Sequence, residues 1–172
     1  MALQLASYDR EKAVQYANQW AYRRNPRFYD FSSIGGDCTN FASQCLYAGG
    51  QVMNYTPVYG WYYINLNNRA PAWTSVVYFH RFITTNQGVG PFGRDVSIEA
   101  VEPGDFVQIQ FAGNPDFSHT PIITELTGPP DPEHILVAAH SNDVNCRPLS
   151  TYRSVARFRY IHIDGIRYET DE

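Results

Sequence analysis

Gly35-Gly36-Asp37-Cys38-Thr39-Asn40-Phe41-Ala42-Ser43-Gln44-Cys45-Leu46-Tyr47-Ala48-Gly49-Gly50 reads as a helix framed by two glycine pairs. From Cys38 the less polar positions fall at Phe41, Ala42, Cys45 and Leu46, the spacing of one helical face. Gly49-Gly50 reads as the helix stop, because glycine takes the left-handed closing conformation without penalty. Cys38 then lies in the first turn, where unpaired N–H groups and the helix dipole favour an anion. A thiol there is expected to have a depressed pKa and to be nucleophilic. The same N–H groups can stabilise an oxyanion on a substrate carbonyl. The pattern points to a catalytic cysteine.

Outward from this helix, the chain of 172 residues has the length of one domain, taken as 1–172, with room for a proper core. Aromatic residues make up 15% and charged residues only 17%, a composition that excludes a disordered chain. The net charge is −4 and the basic residues form no run; Arg23-Arg24 and Arg27 are the densest group. Nucleic-acid binding therefore has no electrostatic footprint. No stretch approaches the ~18 apolar residues of a membrane span. Met1-Ala2-Leu3-Gln4-Leu5 lacks the basic and apolar regions of a signal peptide. The expected address is cytoplasmic, or secreted to the cell wall if an upstream signal has been removed.

The first half is helical in pattern. Asp9 can cap a helix to about Arg24, with Ala13, Val14, Ala17, Trp20 and Ala21 on one face, and Asn25-Pro26 stops it. A further helix is expected from Trp73 to about Thr84. From residue 95 strands take over: Phe106 to Phe111, His119 to about Leu126, Ile135 to His140, and Arg157 to Ile163. Gly128-Pro129-Pro130-Asp131-Pro132 is a turn between the middle two. Helices first and strands later predict an α+β domain, its N-terminal helices packed on one face of an antiparallel sheet.

A thiol nucleophile needs an imidazole to take its proton and hand it to the leaving amine. Five histidines compete: His80, His119, His134, His140 and His162. His119 stands at the mouth of a strand just after a loop and is the best candidate. If strands 119–126 and 133–140 form a hairpin around the proline-rich turn, residue 119 faces residue 140, with Cβ atoms ~5 Å apart. His140 would then share a face with His119, and Asn142 would be its diagonal neighbour; either can orient the base. A slip of one residue would bring Asp143 round instead.

The string at 35–50 resembles the signature of the putative amidase domain family, which is similar to the NlpC-type cell-wall peptidases and the CHAP amidases. The resemblance continues through the Tyr8-to-Ala21 helix, Trp73, Pro103-Gly104-Asp105, Ser118-His119 and His140-Ser141-Asn142-Asp143, and so covers nearly the whole chain. It implies a papain-like core, with Cys38 as nucleophile, His119 as base and His140 as third member (Asn142 or Asp143 being the alternatives). It also implies a cysteine amidase or peptidase cleaving amide bonds in cell-wall (peptidoglycan) peptides through a thioester. The chain departs from the pattern in two places. Pro121 cannot donate to a sheet, so the His119 strand should start late or lie at an edge. No glutamine shortly precedes Cys38, which leaves the helix N–H groups, or a tyrosine, to form the oxyanion hole.

Other readings of the same residues carry less. Cys38 and Cys45 are ~10.5 Å apart along a helix and cannot pair, since a disulfide needs Cα atoms within ~7 Å. Cys45 reads as core, and Cys146 as a loop residue. Cys38, Cys45, His119 and His140 lack the C-x₂₋₄-C spacing of zinc ligands, so neither metal nor cofactor is expected. Gly88-Val89-Gly90-Pro91-Phe92-Gly93 spells a dinucleotide motif but lacks the flanking strand and helix, and reads as a loop. Among the aromatic residues, Trp61 sits in a polar stretch and is the expected substrate contact, together with Asp37. A peptide-binding module without catalysis, and a deamidase or transferase using the same acyl-enzyme, remain as alternatives.

Overall fold

A computed structural model describes residues 2–171 of the chain. Its elements are β1 (Ala2–Ala6), α1 (Arg10–Trp20), α2 (Cys38–Gly50), β2 (Tyr63–Asn65), β3 (Asn68–Arg69), α3 (Pro71–Thr74), α4 (Val76–Thr85), β4 (Gly90–Val96), β5 (Phe106–Phe111), β6 (Ile122–Leu126), β7 (Ile135–Ala139), β8 (Val144–Pro148) and β9 (Val155–Thr170). Every pairing in the main sheet is antiparallel, in the order β1-β9-β5-β6-β7-β8, with β4 also on β9. The fold is α+β, with few helices on a mainly antiparallel sheet.

Helix α2 is the centre of the molecule. Polar as well as apolar positions along it are buried, from Thr39 and Asn40 to Leu46, so no face is left for water. Its neighbour α1 starts at Asp9, whose carboxylate accepts from the Lys12 N–H at 3.1 Å. Ala13, Ala17 and Ala21 recur every four residues and are wholly buried, which lets the α1 backbone approach closely. The helix stop differs from the sequence reading. Gly49 and Gly50 are the last helical residues, and Gln51 takes the left-handed position at φ 60°. The glycine at 49 answers a different need: a Cβ there would lie 2.4 Å from Tyr8 Cε1 and 2.7 Å from the Asp9 carbonyl.

The helix expected from Trp73 is broken in two, since Ser75 is extended and caps α4 through the Tyr78 N–H at 3.3 Å. Phe106, Ile122, Ala138, Ile161 and Ile163 face the core shared with the helices. Their alternates Val107, Ile109, Ile123 and Val137 join Leu149 in a second cluster on the opposite face. Three strands of the main sheet, and the short β2–β3 pair, went unread in the sequence. Gly90–Val96 is a strand, although its glycines read as a loop, and Ala2–Ala6 and Val144–Pro148 close the two ends of the sheet order. Strand β9 runs far beyond Ile163, because β4 and β1 pair with its second half. No helix among the described residues is long and apolar enough to cross a membrane.

Candidate active site

The Cys38 thiol opens onto a cavity of about 550 Å³. One wall is the approach to α2, with Gly35 at φ +81° and Gly36 at φ +99°. Both conformations are left-handed, which explains the glycine pair before the cysteine. A second wall carries Ser118 and His119, a third Ser141 and Asn142, and a fourth Arg147, Tyr152 and Arg153. Cys38 and His119 are thus brought to one cavity from opposite halves of the chain. The thiol lies 3.7 Å from Thr39 Oγ1 and 4.0 Å from the Ser118 carbonyl. The His119 ring makes its side-chain contact with Tyr152, whose hydroxyl is 3.5 Å from Nε2. Among the described residues no hydrogen bond joins Cys38 to His119.

His119 precedes β6 rather than starting it. Its carbonyl accepts from the Ile109 N–H at 3.0 Å, and the Ser118 N–H donates to the Ile109 carbonyl at 2.9 Å. Two residues oppose one, a local bulge that turns the chain toward the thiol. Pro121 lies between this bridge and β6, so the regular strand starts late, at Ile122.

The hairpin register differs from the expected one by a residue. Ile122 pairs with Ala138 and Ile123 with Val137. Continued outward, this sets Thr120 across from His140 and His119 across from Ser141. His140 therefore points to the helix face, where it is 1% exposed and stacks on Phe41 with ring centroids 4.0 Å apart. Its Nδ1–H donates to Asp37 Oδ2 at 2.6 Å. Nε2 lies between the Trp20 carbonyl at 2.9 Å and Arg24 Nη1 at 3.2 Å. Both ring nitrogens are committed, and neither reaches His119. Of the two alternatives, neither makes a hydrogen bond to His119 among the described residues, although Asn142 lines the cavity. Asn142 forms the turn between β7 and β8 at φ 53°, and Asp143 is gripped by Arg24 through two hydrogen bonds of 2.9 and 3.0 Å.

The two expected substrate contacts are corrected as well. Asp37 has no exposed surface; its Oδ1 accepts from the Phe31 N–H at 2.8 Å and from Asn40 Nδ2 at 2.9 Å. Trp61 is equally buried, 4.7 Å from the Trp73 ring, and its indole N–H donates to Ser43 Oγ at 3.0 Å. Its apolar partners come from helices distant in sequence, which local patterning does not show. Cys45 is core and Cys146 exposed, and all three thiols are free. Sequence reasoning missed Arg147, Tyr152 and Arg153, which belong to no motif, and gave Ser141 no role although it lies in the quoted 140–143 string; the register alone could have pointed to it.

Burial dominates the electrostatics. It pushes the Cys38 thiol above its ordinary value, against hydrogen bonds from Thr39 and Thr120 that favour the thiolate. It also pushes the His119 imidazole down to about 4, with the Arg147 cation adding to the effect. The expectation of a depressed thiol pKa is thus reversed: desolvation outweighs the helix N-terminus. At neutral pH the resting pair is a neutral thiol beside a neutral imidazole. Burial likewise raises the Tyr152 phenol to about 12, so it stays a hydroxyl donor. Among the described residues no group of three or more His, Cys, Asp or Glu is placed to hold a metal ion.

A family model described as a putative amidase domain matches residues 7–163. An uncharacterized protein of Bacillus subtilis (strain 168), YhbB, is 33% identical over 162 residues. The match covers 91% of this chain and 50% of the relative, so the chain spans about half the length of that protein. No solved structure matches the chain significantly.

Two outcomes follow from this geometry. Alkylation of Cys38 by iodoacetamide should quicken about tenfold per pH unit through neutrality, because the thiolate is the reacting form. It should level off only above the ordinary thiol range; a rate already flat between about pH 5 and 8 would reveal a standing thiolate–imidazolium pair. His140→Ala should lower unfolding stability by about 3–5 kcal/mol in urea titrations, because it leaves the Asp37 carboxylate buried without its partner. His119→Ala should cost less than about 2 kcal/mol, since His119 makes one marginal hydrogen bond. The opposite ranking would contradict the network.

Proposed function

The chain belongs to the putative amidase domain family, and we propose that it acts as a cysteine amidohydrolase with Cys38 as nucleophile and His119 as general base. The observation that carries the reading is the meeting of these two side chains in one cavity, the thiol at the foot of a buried helix and the imidazole at a bulge beside it. In the first step Cys38 Sγ attacks the amide carbonyl carbon while His119 takes the thiol proton. The resting imidazole is neutral, so it is ready to accept. The N–H groups of the first turn of α2 have no partner four residues back and can hold the oxyanion. Tyr152, a hydroxyl donor beside His119, is available to the same oxygen or to the departing amine.

Collapse of the tetrahedral intermediate breaks the C–N bond, and the imidazolium gives its proton to the amine. A thioester remains on Cys38. Water, deprotonated by His119, then attacks it and releases the acid, restoring thiol and imidazole. If an amine replaced water in this step the same site would be a transferase. His140 takes no part in proton transfer; it is a positioning residue that holds Asp37, the residue before Cys38. The papain-like character and the peptidoglycan peptide as substrate belong to this proposal, on the likeness of the 35–50 signature to cell-wall peptidases.

Digestion of purified peptidoglycan and defined muropeptides, with new amino groups counted, tests the reading. Cys38→Ser should reduce release to background, and His119→Ala should lower kcat by about 10²- to 10⁴-fold. Full release by folded Cys38→Ser would overturn the assignment.

A further inference from the structure

Arg147 and Arg153 stand in the wall of the Cys38 cavity with no carboxylate opposite them. Both line it beside Cys38 and His119, and no Asp or Glu does. Arg10, Arg24 and Arg94 do reach acids, Asp105 at 2.7 Å, Asp143 at 2.9 Å and Asp164 at 3.4 Å, whereas what singles out Arg147 and Arg153 is their place in the wall of the thiol's cavity. Among the described residues, Arg147 and Arg153 form no such pair. Arg147 is nonetheless held in place. Its Nε donates to Thr151 Oγ1 at 2.8 Å, its Nη2 to the Thr151 carbonyl at 3.1 Å, and its guanidinium carbon lies 3.7 Å from the Tyr152 ring centroid. The Nη1 edge has no hydrogen-bond partner among the described residues. Arg153 is exposed and likewise has none. One fixed guanidinium with an open edge and a second, exposed and untethered one make a fork suited to a carboxylate.

We propose that Arg147 and Arg153 form a carboxylate subsite of the Cys38 cavity, so that the substrate carries a carboxylate beside the amide that is cleaved. The inference rests on the reading of Cys38 as nucleophile and narrows its substrate class to acidic peptides. It also gives the arginine beside the base a purpose. Burial holds the His119 imidazole down and the Arg147 cation adds to it, so a carboxylate seated on Arg147 offsets the second contribution and makes the base stronger when substrate is bound.

Iodoacetate and iodoacetamide alkylate the same sulfur and differ by a carboxylate against a carboxamide. Peptide mapping separates Cys38 from the exposed Cys146. At Cys38 the iodoacetate-to-iodoacetamide rate ratio should exceed that of 2-mercaptoethanol by about tenfold, and high salt should reduce the excess. Arg147→Ala and Arg153→Ala should bring it toward the reference; Arg153 makes no protein hydrogen bond, so its removal leaves the fold alone. A wild-type ratio at or below the reference overturns the subsite, while Cys38-dependent hydrolysis would still stand. A Cys38 inert to both reagents even at about pH 10, where an accessible thiol is ionised, overturns the nucleophile and the subsite together.

Titration of Cys38→Ala with acetylated tripeptides identifies the source of the carboxylate. Tighter binding of acetyl-Ala-Glu-Ala-amide than of acetyl-Ala-Gln-Ala-amide assigns an acidic side chain. Tighter binding of acetyl-Ala-Gln-Ala with a free carboxyl end assigns a chain terminus. Equal binding of all three overturns the proposal.

Discussion

At the foot of the cysteine helix the buried carboxylate of Asp37 gathers partners from four separate segments: the Phe31 N–H, the Asn40 amide, the His140 imidazole and the Arg24 guanidinium. A carboxylate without water must keep such partners, because removing one costs about 3–5 kcal/mol. The loop before α2, the first turn of α2, the end of β7 and the chain after α1 are therefore fixed relative to one another. The Asp37 backbone is fixed as well, its N–H donating to Ser141 Oγ at 3.1 Å. Cys38 is the next residue, so the position of the thiol is a consequence of this knot. The histidine that resembles a catalytic third member is instead part of the foundation.

Separating structural from reactive charges shapes the chemistry. Asp37, His140, Arg24 and Asp143 are paired with one another below and beside the cavity. Inside it stand a thiol, an imidazole, a phenol and two arginines. Desolvation, reinforced at the thiol by the Asp37 carboxylate and at the imidazole by the Arg147 cation, keeps the thiol protonated and the imidazole unprotonated. The enzyme proposed from this arrangement generates its thiolate during attack. Its resting state is correspondingly unreactive toward stray electrophiles.

Much of the fold was legible because much of it is local. The α2 face, the Asp9 cap and the alternation of Phe106 to Phe111 are short-range patterns with short-range causes. The long β9 was legible only in its first half, since β1 and β4 define the remainder from distant parts of the chain. The glycines of β4 concealed a strand whose Gly93 lies against the β9 backbone, where a Cβ would meet the His162 carbonyl at 2.1 Å. Cys38 and His119, read in the sequence as a pair, both line one cavity. Their surroundings were not legible, for a geometric reason. Leu126 pairs with Ile135, and a bulge between Ile123 and Glu125 resets the pairing to Ile122 with Ala138. A single step of register exchanges the two faces of a strand, and it put Ser141 rather than His140 across from His119. Tyr152 and the arginines lie where no motif marks them; only the folded chain places them at the thiol.

The central claim is that the amide's acyl group passes through Cys38. Its most direct test is the intact mass of the protein after mixing with a cleavable peptide substrate and quenching in acid within the first turnovers. The account predicts an adduct of the acyl fragment's mass, mapping to the peptide that carries Cys38, sensitive to hydroxylamine and absent from Cys38→Ala. Continued turnover by folded Cys38→Ala, with no adduct on the wild type, would contradict it.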